Sequence, residues 1–210
     1  MRLLRVARDL IRQVNAKELV IDHWTFGGGT AMMLQIGHRA SRDVDIFLTD
    51  AQQLPFLDPQ THDFTFDLAP TDCTGDGIRF LRLVFENIGE IDFIVAAGLT
   101  PQPSAQTEID GDLIALETVP EIIAKKIHYR GASLKPRDIF DIAAAGETDA
   151  ASVVRALRPY KGDVAQALVA LQKLNPDFVR AAIAELAIKS GYETISKDAL
   201  QRATELLTSV

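Results

Sequence analysis

The chain has a single cysteine, Cys73, among its 210 residues. One thiol excludes an intrachain disulfide framework and a thiolate zinc cluster. Cys73 is expected to pack as a small apolar side chain. No apolar run is long enough to span a bilayer, and no charged-then-apolar leader opens the chain. A reducing, cytoplasmic setting without a membrane partner is therefore expected. Basic residues are in deficit, with 22 Lys and Arg against 29 Asp and Glu, a formal net charge of −7. That balance argues against a broad electrostatic footprint for nucleic acid and leaves room only for a local basic patch. The glycine run Gly27–Gly29 lacks the Gly-Lys-Ser/Thr ending of a P-loop. His23, His62 and His128 lack the spacing of a zinc site, and the order of residues suggests no Ser-His-Asp arrangement.

Hydrophobic residues make up 47% of the chain, ample for a buried core. The opening MRLLRVARDLIRQV has apolar positions at helical spacing and predicts an amphipathic helix ending near Asn15–Lys17. WTFGGGTAMMLQIG reads as a short strand, a glycine turn and an apolar helix. RDVDIFLTD, DFTFDLA, IRFLRLVFEN, EIDFIVA and DLIALET read as strands, and the stretch containing TPQPSAQ as a loop. Beyond Val119–Pro120 nearly every segment reads as helix, with Pro120, Pro136 and Pro176 at helix starts, where a missing N–H costs little. The expected fold class is α+β. A small mixed sheet with helices over residues 1–117 is followed by a helical bundle over 118–210 that completes a nucleotide cleft.

The chemistry concentrates in GGGTAMMLQIGHRASRDVDIF. Glycines before Thr30 let the backbone approach a ligand closely, and a helix starting there offers free N–H groups to phosphate. Asp43 and Asp45 stand two apart on a strand, so both carboxylates share one face. Paired carboxylates suit Mg²⁺, which also holds substrate phosphates. Asp92, between Ile91 and Phe93, is an acid inside an apolar strand, where an unpaired charge is costly. If its strand lies beside that of Asp45, three carboxylates converge. Such a set could hold two metal ions, with Asp92 as ligand or base for an attacking hydroxyl. Lys126, with Arg130, Lys135 and Arg137, supplies cations suited to phosphate charge. Each feature also has a plain structural reading. The glycines can be a simple turn, Asp43 and Asp45 a solvated strand face, and Asp92 the partner of Arg79 or Arg82. Lys125 and Lys126 can be a solvated helix face, and Arg137, Asp138 and Asp141 a structural network. A structural role is the preferred reading for the loop at His38 and Ser41.

Gly-Gly-Thr, a short helix, Gly-His-Arg-x-Ser-x-Asp-x-Asp and a later strand Asp resemble the nucleotidyltransferase superfamily. More closely, with AKKIHYRGASLKPRDIFDIA, they resemble the AbiEii-type nucleotidyltransferase toxins of abortive-infection and toxin–antitoxin systems. Phe140 stands where a tyrosine is common in that family. The matching blocks lie between Phe26 and Ala143. The resemblance implies that Gly28, Gly29 and Thr30 hold a triphosphate and that Asp43, Asp45 and Asp92 bind Mg²⁺ or Mn²⁺. It further implies that Lys126 contacts nucleotide phosphates, in a patch that Arg130 enlarges, and that Arg137 and Asp141 orient the nucleotide or hold the helical part against the site. The implied reaction moves an NMP group from an NTP to an acceptor hydroxyl, on RNA such as a tRNA 3′ end or on protein, with a cognate antitoxin as partner. The competing expectation is a catalytically silent nucleotide-binding or interaction module, or an antitoxin that acts only by binding.

Overall fold

Seven strands form one sheet in the order β3-β4-β5-β2-β1-β7-β6. They are β1 (Trp24–Gly27), β2 (Val44–Leu48), β3 (Asp72–Gly75), β4 (Phe80–Phe85), β5 (Gly89–Val95), β6 (Ser104–Ile109) and β7 (Asp112–Glu117). This computed structural model describes residues 1–16 and 18–210, so the Lys17 end of the first helix lies outside the described residues. The chain divides into two compact units. The first comprises Met1–Ala31, Ser41–Gly98 and Ser104–Glu117, and the second Met32–Ala40, Leu99–Pro103 and Thr118–Val210.

In the first unit the sheet is mixed. β2 pairs parallel with β5 and antiparallel with β1, and β1 pairs parallel with β7. Alternation sorts the side chains. Val44, Ile46, Leu48, Leu81, Leu83, Ile91 and Phe93 are buried, while the intervening Asp45, Phe47, Arg82 and Asp92 are half-buried on the opposite face. Helix α1 (Arg2–Asn15) packs on β5 and β2 and buries Leu3, Leu4, Val6, Ala7, Leu10 and Ile11, as its periodicity predicts. Each fully buried Leu or Ile contributes about 1.5–3 kcal/mol.

Three segments depart from the sequence reading. Asp63–Ala69 is not a strand. Instead the side-chain amide of Gln13 donates to the Thr65 carbonyl (2.9 Å) and accepts from its N–H (2.8 Å), which satisfies the backbone that a neighbouring strand would have paired. The next strand is β3, whose DCTG sequence carries no hydrophobic alternation. The TPQPSAQ loop gives way to β6 at Ser104. β6 joins β7 through Asp110 and Gly111, both at positive φ, a two-residue Asp-Gly hairpin turn. Cys73 is half-buried but not simply apolar packing. Its Sγ lies 3.6 Å from Asp58 Oδ1, and burial together with the Asp58 charge pushes the thiol up to about 11.

The second unit is helical after Thr118, with α3 (Val119–Arg130), α4 (Pro136–Leu157), α5 (Lys161–Gln172), α6 (Pro176–Ala184), α7 (Glu193–Lys197) and α8 (Ala199–Thr208). Pro120, Pro136 and Pro176 occupy first-turn positions as expected. The backbone of α4 breaks at Asp149, whose carboxylate accepts from Ser152 N (3.0 Å) as a fresh N-cap. Glu121, wholly buried, accepts from Leu99 N, Thr100 N and the Thr100 hydroxyl, fixing the short segment before β6.

Candidate active site

Helix α2 (Gly28–Ile36) follows β1 without a residue between them. The junction needs glycine for two reasons. Gly28 has φ +69°, and a Cβ there would overlap the Asp45 carboxylate. Gly27 is constrained by space alone, because a Cβ would strike Glu117 Oε2 and the Phe47 ring. The glycine run is therefore more than a turn. It lets carboxylates from β2 and β7 lie directly against the backbone at the start of a helix. Gly28→Ala adds the left-handed strain of a residue with a side chain, about 1–2 kcal/mol, and displaces Asp45. We expect a lower melting temperature together with lost catalysis. Unchanged catalysis would show that the placement of Asp45 is unimportant.

The pairing register then builds a row across the sheet. Gly27 pairs with Asp45, Asp45 with Asp92, and Asp92 with Arg82. Register partners point to one face, so Glu117, Asp45, Asp92 and Arg82 line a single band that crosses five strands. Asp45 and Asp92 sit on neighbouring strands spaced about 4.8 Å apart. Asp43 lies one residue before β2 and turns toward β5, where its Oδ1 accepts from Glu90 N (3.2 Å). Asp92 is gripped from both sides, by Arg82 Nε at 2.7 Å and Nη2 at 2.8 Å, and Arg82 Nη1 also lies 3.2 Å from Glu90 Oε2. The hydrogen bond to Asp92, with the charges of Asp92, Glu90 and Asp43, holds the guanidinium above its usual range. The structural alternative for Asp92, a pair with Arg82, is thus realised. Glu117 is a site acid that the sequence did not reveal. It is buried and accepts from Thr25 Oγ1 at 2.8 Å. Only the register, invisible before folding, puts it beside Gly27.

Thr30 is buried, and its hydroxyl donates to the Asp43 carbonyl (2.5 Å) and lies 2.9 Å from Ser41 Oγ. Its side chain braces the loop leading into β2. Gly29 follows Gly28 in the same first turn.

Of the remaining sequence candidates, Lys126 and Arg130 gather in the second unit around Asp138 and Asp141, while Arg137 is exposed in the first turn of α4. The fully buried Asp141 carboxylate accepts from Arg39 Nε and Nη2 (2.7 and 3.0 Å) and lies 2.8 Å from His38 Nε2 and 3.0 Å from Lys126 Nζ. Lys126 Nζ also lies 2.5 Å from Asp138, and Arg130 Nη1 is 3.5 Å from Asp138. Burial alone would raise the Asp141 carboxyl, but the Lys126 charge and the hydrogen bonds from His38 and Arg39 outweigh it and hold the group far below the usual range. Arg39 and Lys126 are therefore committed to buried acids, whereas Arg42, Arg130 and Arg137 retain exposure.

The donor chemistry of Asp43, Asp45 and Asp92 fits a hard cation such as Mg²⁺, and Gly28 lets the Asp45 carboxylate lie against the backbone at the start of α2. Among the described residues no three His, Cys, Asp or Glu side chains converge as a ligand set.

Residues 9–205 match the model of the family described as "Nucleotidyl transferase AbiEii toxin, Type IV TA system". No curated protein matches the chain in sequence. Among solved structures, the fold is similar to MenT4, the nucleotidyltransferase toxin Rv2826c from Mycobacterium tuberculosis H37Rv (TM-score 0.56, 16% identity, 99% of this chain and 84% of that one). It is also similar to JHP933 from Helicobacter pylori (TM-score 0.50, 13% identity, 98% and 88%). The acids and glycines that carry the resemblance in sequence thus lie on a nucleotidyltransferase toxin fold, and the chain belongs to the AbiEii nucleotidyl transferase toxin family of type IV toxin–antitoxin systems and is a nucleotidyltransferase.

Proposed function

We propose that this enzyme transfers an NMP group from a nucleoside triphosphate to an acceptor hydroxyl at the band formed by Asp45 and Asp92. The observation that carries this reading is the Asp45–Asp92 register pairing beside the positive-φ Gly28 at the start of α2. Asp45 and Asp92, with Asp43 beside them, would hold Mg²⁺ or Mn²⁺. When bound, such an ion supplies charge neutralisation for the triphosphate and activates the hydroxyl. Gly28, Gly29 and the backbone at Thr30 would cradle phosphate oxygens through free N–H groups. The acceptor oxygen forms a bond to the α-phosphorus as the bond to pyrophosphate breaks, and Asp92 takes the hydroxyl proton. Lys126, Arg130 and Arg137 are proposed for the nucleotide phosphates. Arg130 and Arg137 are open to solvent, whereas Lys126 must exchange a carboxylate to reach one.

The proposed acceptor is a hydroxyl on RNA, such as a tRNA 3′ end, or on protein. The family's place in a type IV toxin–antitoxin system supports a cognate antitoxin as partner, and the proposed site of action is the cytoplasm. No helix among the described residues is long and apolar enough to cross a membrane. The test is incubation with each α-labelled NTP, Mg²⁺ or Mn²⁺, and total bacterial RNA and protein, beside an Asp43→Ala/Asp45→Ala control. Label on RNA or protein that disappears in the control names the acceptor class. No label with any nucleotide would overturn the proposal in favour of a silent binding module.

A further inference from the structure

We infer that Arg82 is a built-in stand-in cation, which occupies the acidic band of the sheet and must release Asp92 before a divalent ion can bind there. This inference rests on the metal reading of Asp45 and Asp92 given above. Its own support is the contact geometry. Arg82 comes from β4, the antiparallel neighbour of β5, and its guanidinium meets both oxygens of Asp92 at 2.7 and 2.8 Å. Its remaining terminal nitrogen lies 3.2 Å from Glu90. A guanidinium so placed neutralises acids that would otherwise repel one another across the β2–β5 pair. It also engages one lone pair on each oxygen of Asp92 and sets a positive charge where a divalent ion would bind, so the two cations compete for one carboxylate.

The release is physically accessible. The Arg82 side chain is 41% exposed whereas that of Asp92 is 14% exposed, so the arginine can swing into water while the aspartate stays in place. In the ion-free protein Arg82 keeps Asp92 ordered. On metal entry it becomes a free cation at the rim of the site. Arg82 is thus a positioning residue that sets how tightly the site takes its ion.

Binding of Mn²⁺ alone, followed by the electron-paramagnetic resonance signal of the free ion, tests this on the full chain without nucleotide. Arg82→Lys keeps the charge but loses the planar fork, and is expected to bind Mn²⁺ about threefold to tenfold more tightly than the parent. Arg82→Gln should gain about tenfold or more. Arg79→Gln removes the same charge from the same strand region, at a residue held instead by Asp76 (2.8 Å), and should change affinity less than about twofold. Arg82→Lys also guards against loss of fold in the glutamine variant. Equal gains in Arg79→Gln and Arg82→Gln, or no gain in Arg82→Lys, would reduce the effect to net charge and overturn the inference. Asp45→Asn separates the two layers of argument. If it weakens Mn²⁺ binding while the Arg82 variants gain nothing, only the role of Arg82 fails. If it leaves binding untouched, the metal reading itself fails.

Discussion

Replacing Asp141 by asparagine should destabilise the protein by about 3–5 kcal/mol, the cost of leaving buried cations without their anion. Asp141 is fully buried and takes two hydrogen bonds from Arg39 with a third contact from His38, and Lys126 stands 3.0 Å away. Asparagine keeps the shape and one acceptor but removes the charge that balances Arg39 and Lys126. Asp138→Asn should cost less, because Arg130, one of its partners, is 42% exposed and Lys126 would keep Asp141. Thermal melts of the two variants check the ranking. A melting temperature for Asp141→Asn within a degree or so of the parent would mean that Asp141 serves a ligand rather than the fold.

The same network fixes a pH dependence. The Asp138 and Asp141 carboxyls both lie below their usual range, each because the Lys126 charge and hydrogen bonds overcome the opposing effect of burial. A depressed carboxyl contributes stability that is complete above its unfolded value, about 4, and is lost as pH falls toward the folded value. Acid unfolding should therefore steepen below about pH 4 in the parent and be shallower in Asp141→Asn.

Asp45→Asn should lower nucleotidyl transfer on the order of 10³-fold while leaving the melting temperature unchanged or raised. Asp45 and Asp92 stand directly opposite one another on paired strands, and like charges so placed destabilise a sheet. Removing one charge relieves the part of that repulsion that Arg82 leaves uncompensated. A purely structural acid would show the reverse, with lost stability and intact turnover. The combination of lower activity with equal or greater stability marks a residue kept for chemistry at some cost to the fold. Label transfer and a thermal melt on the same preparation distinguish the two cases. Transfer within tenfold of the parent would remove Asp45 from the site.

Much of this arrangement was legible in the sequence because it is local. The periodicity of α1, the alternation in β2 and β5 and the prolines at helix starts each follow from neighbours a few residues apart. The glycines before Thr30 pointed to a close approach, and Gly28 makes one, although the group it approaches is the Asp45 carboxylate. Long-range register was not legible. Nothing near Glu117 in sequence says that β7 lies beside β1, and nothing near Phe64 or Phe66 says that a glutamine from α1 will satisfy the backbone between them. Lys126 read as an open phosphate contact because helix spacing cannot show that Asp138 and Asp141, one helix later, close over it.

The β2–β5 pairing has a kinetic consequence. Hairpins such as β4–β5 and β6–β7 join residues close in sequence and can zip early, whereas a parallel pair must first close a long crossover loop. Asp45 and Asp92 become neighbours only through such a pair. During refolding, helical and hairpin signals should therefore recover before catalytic competence, so that the proposed metal site matures last, after the scaffold that carries it has formed.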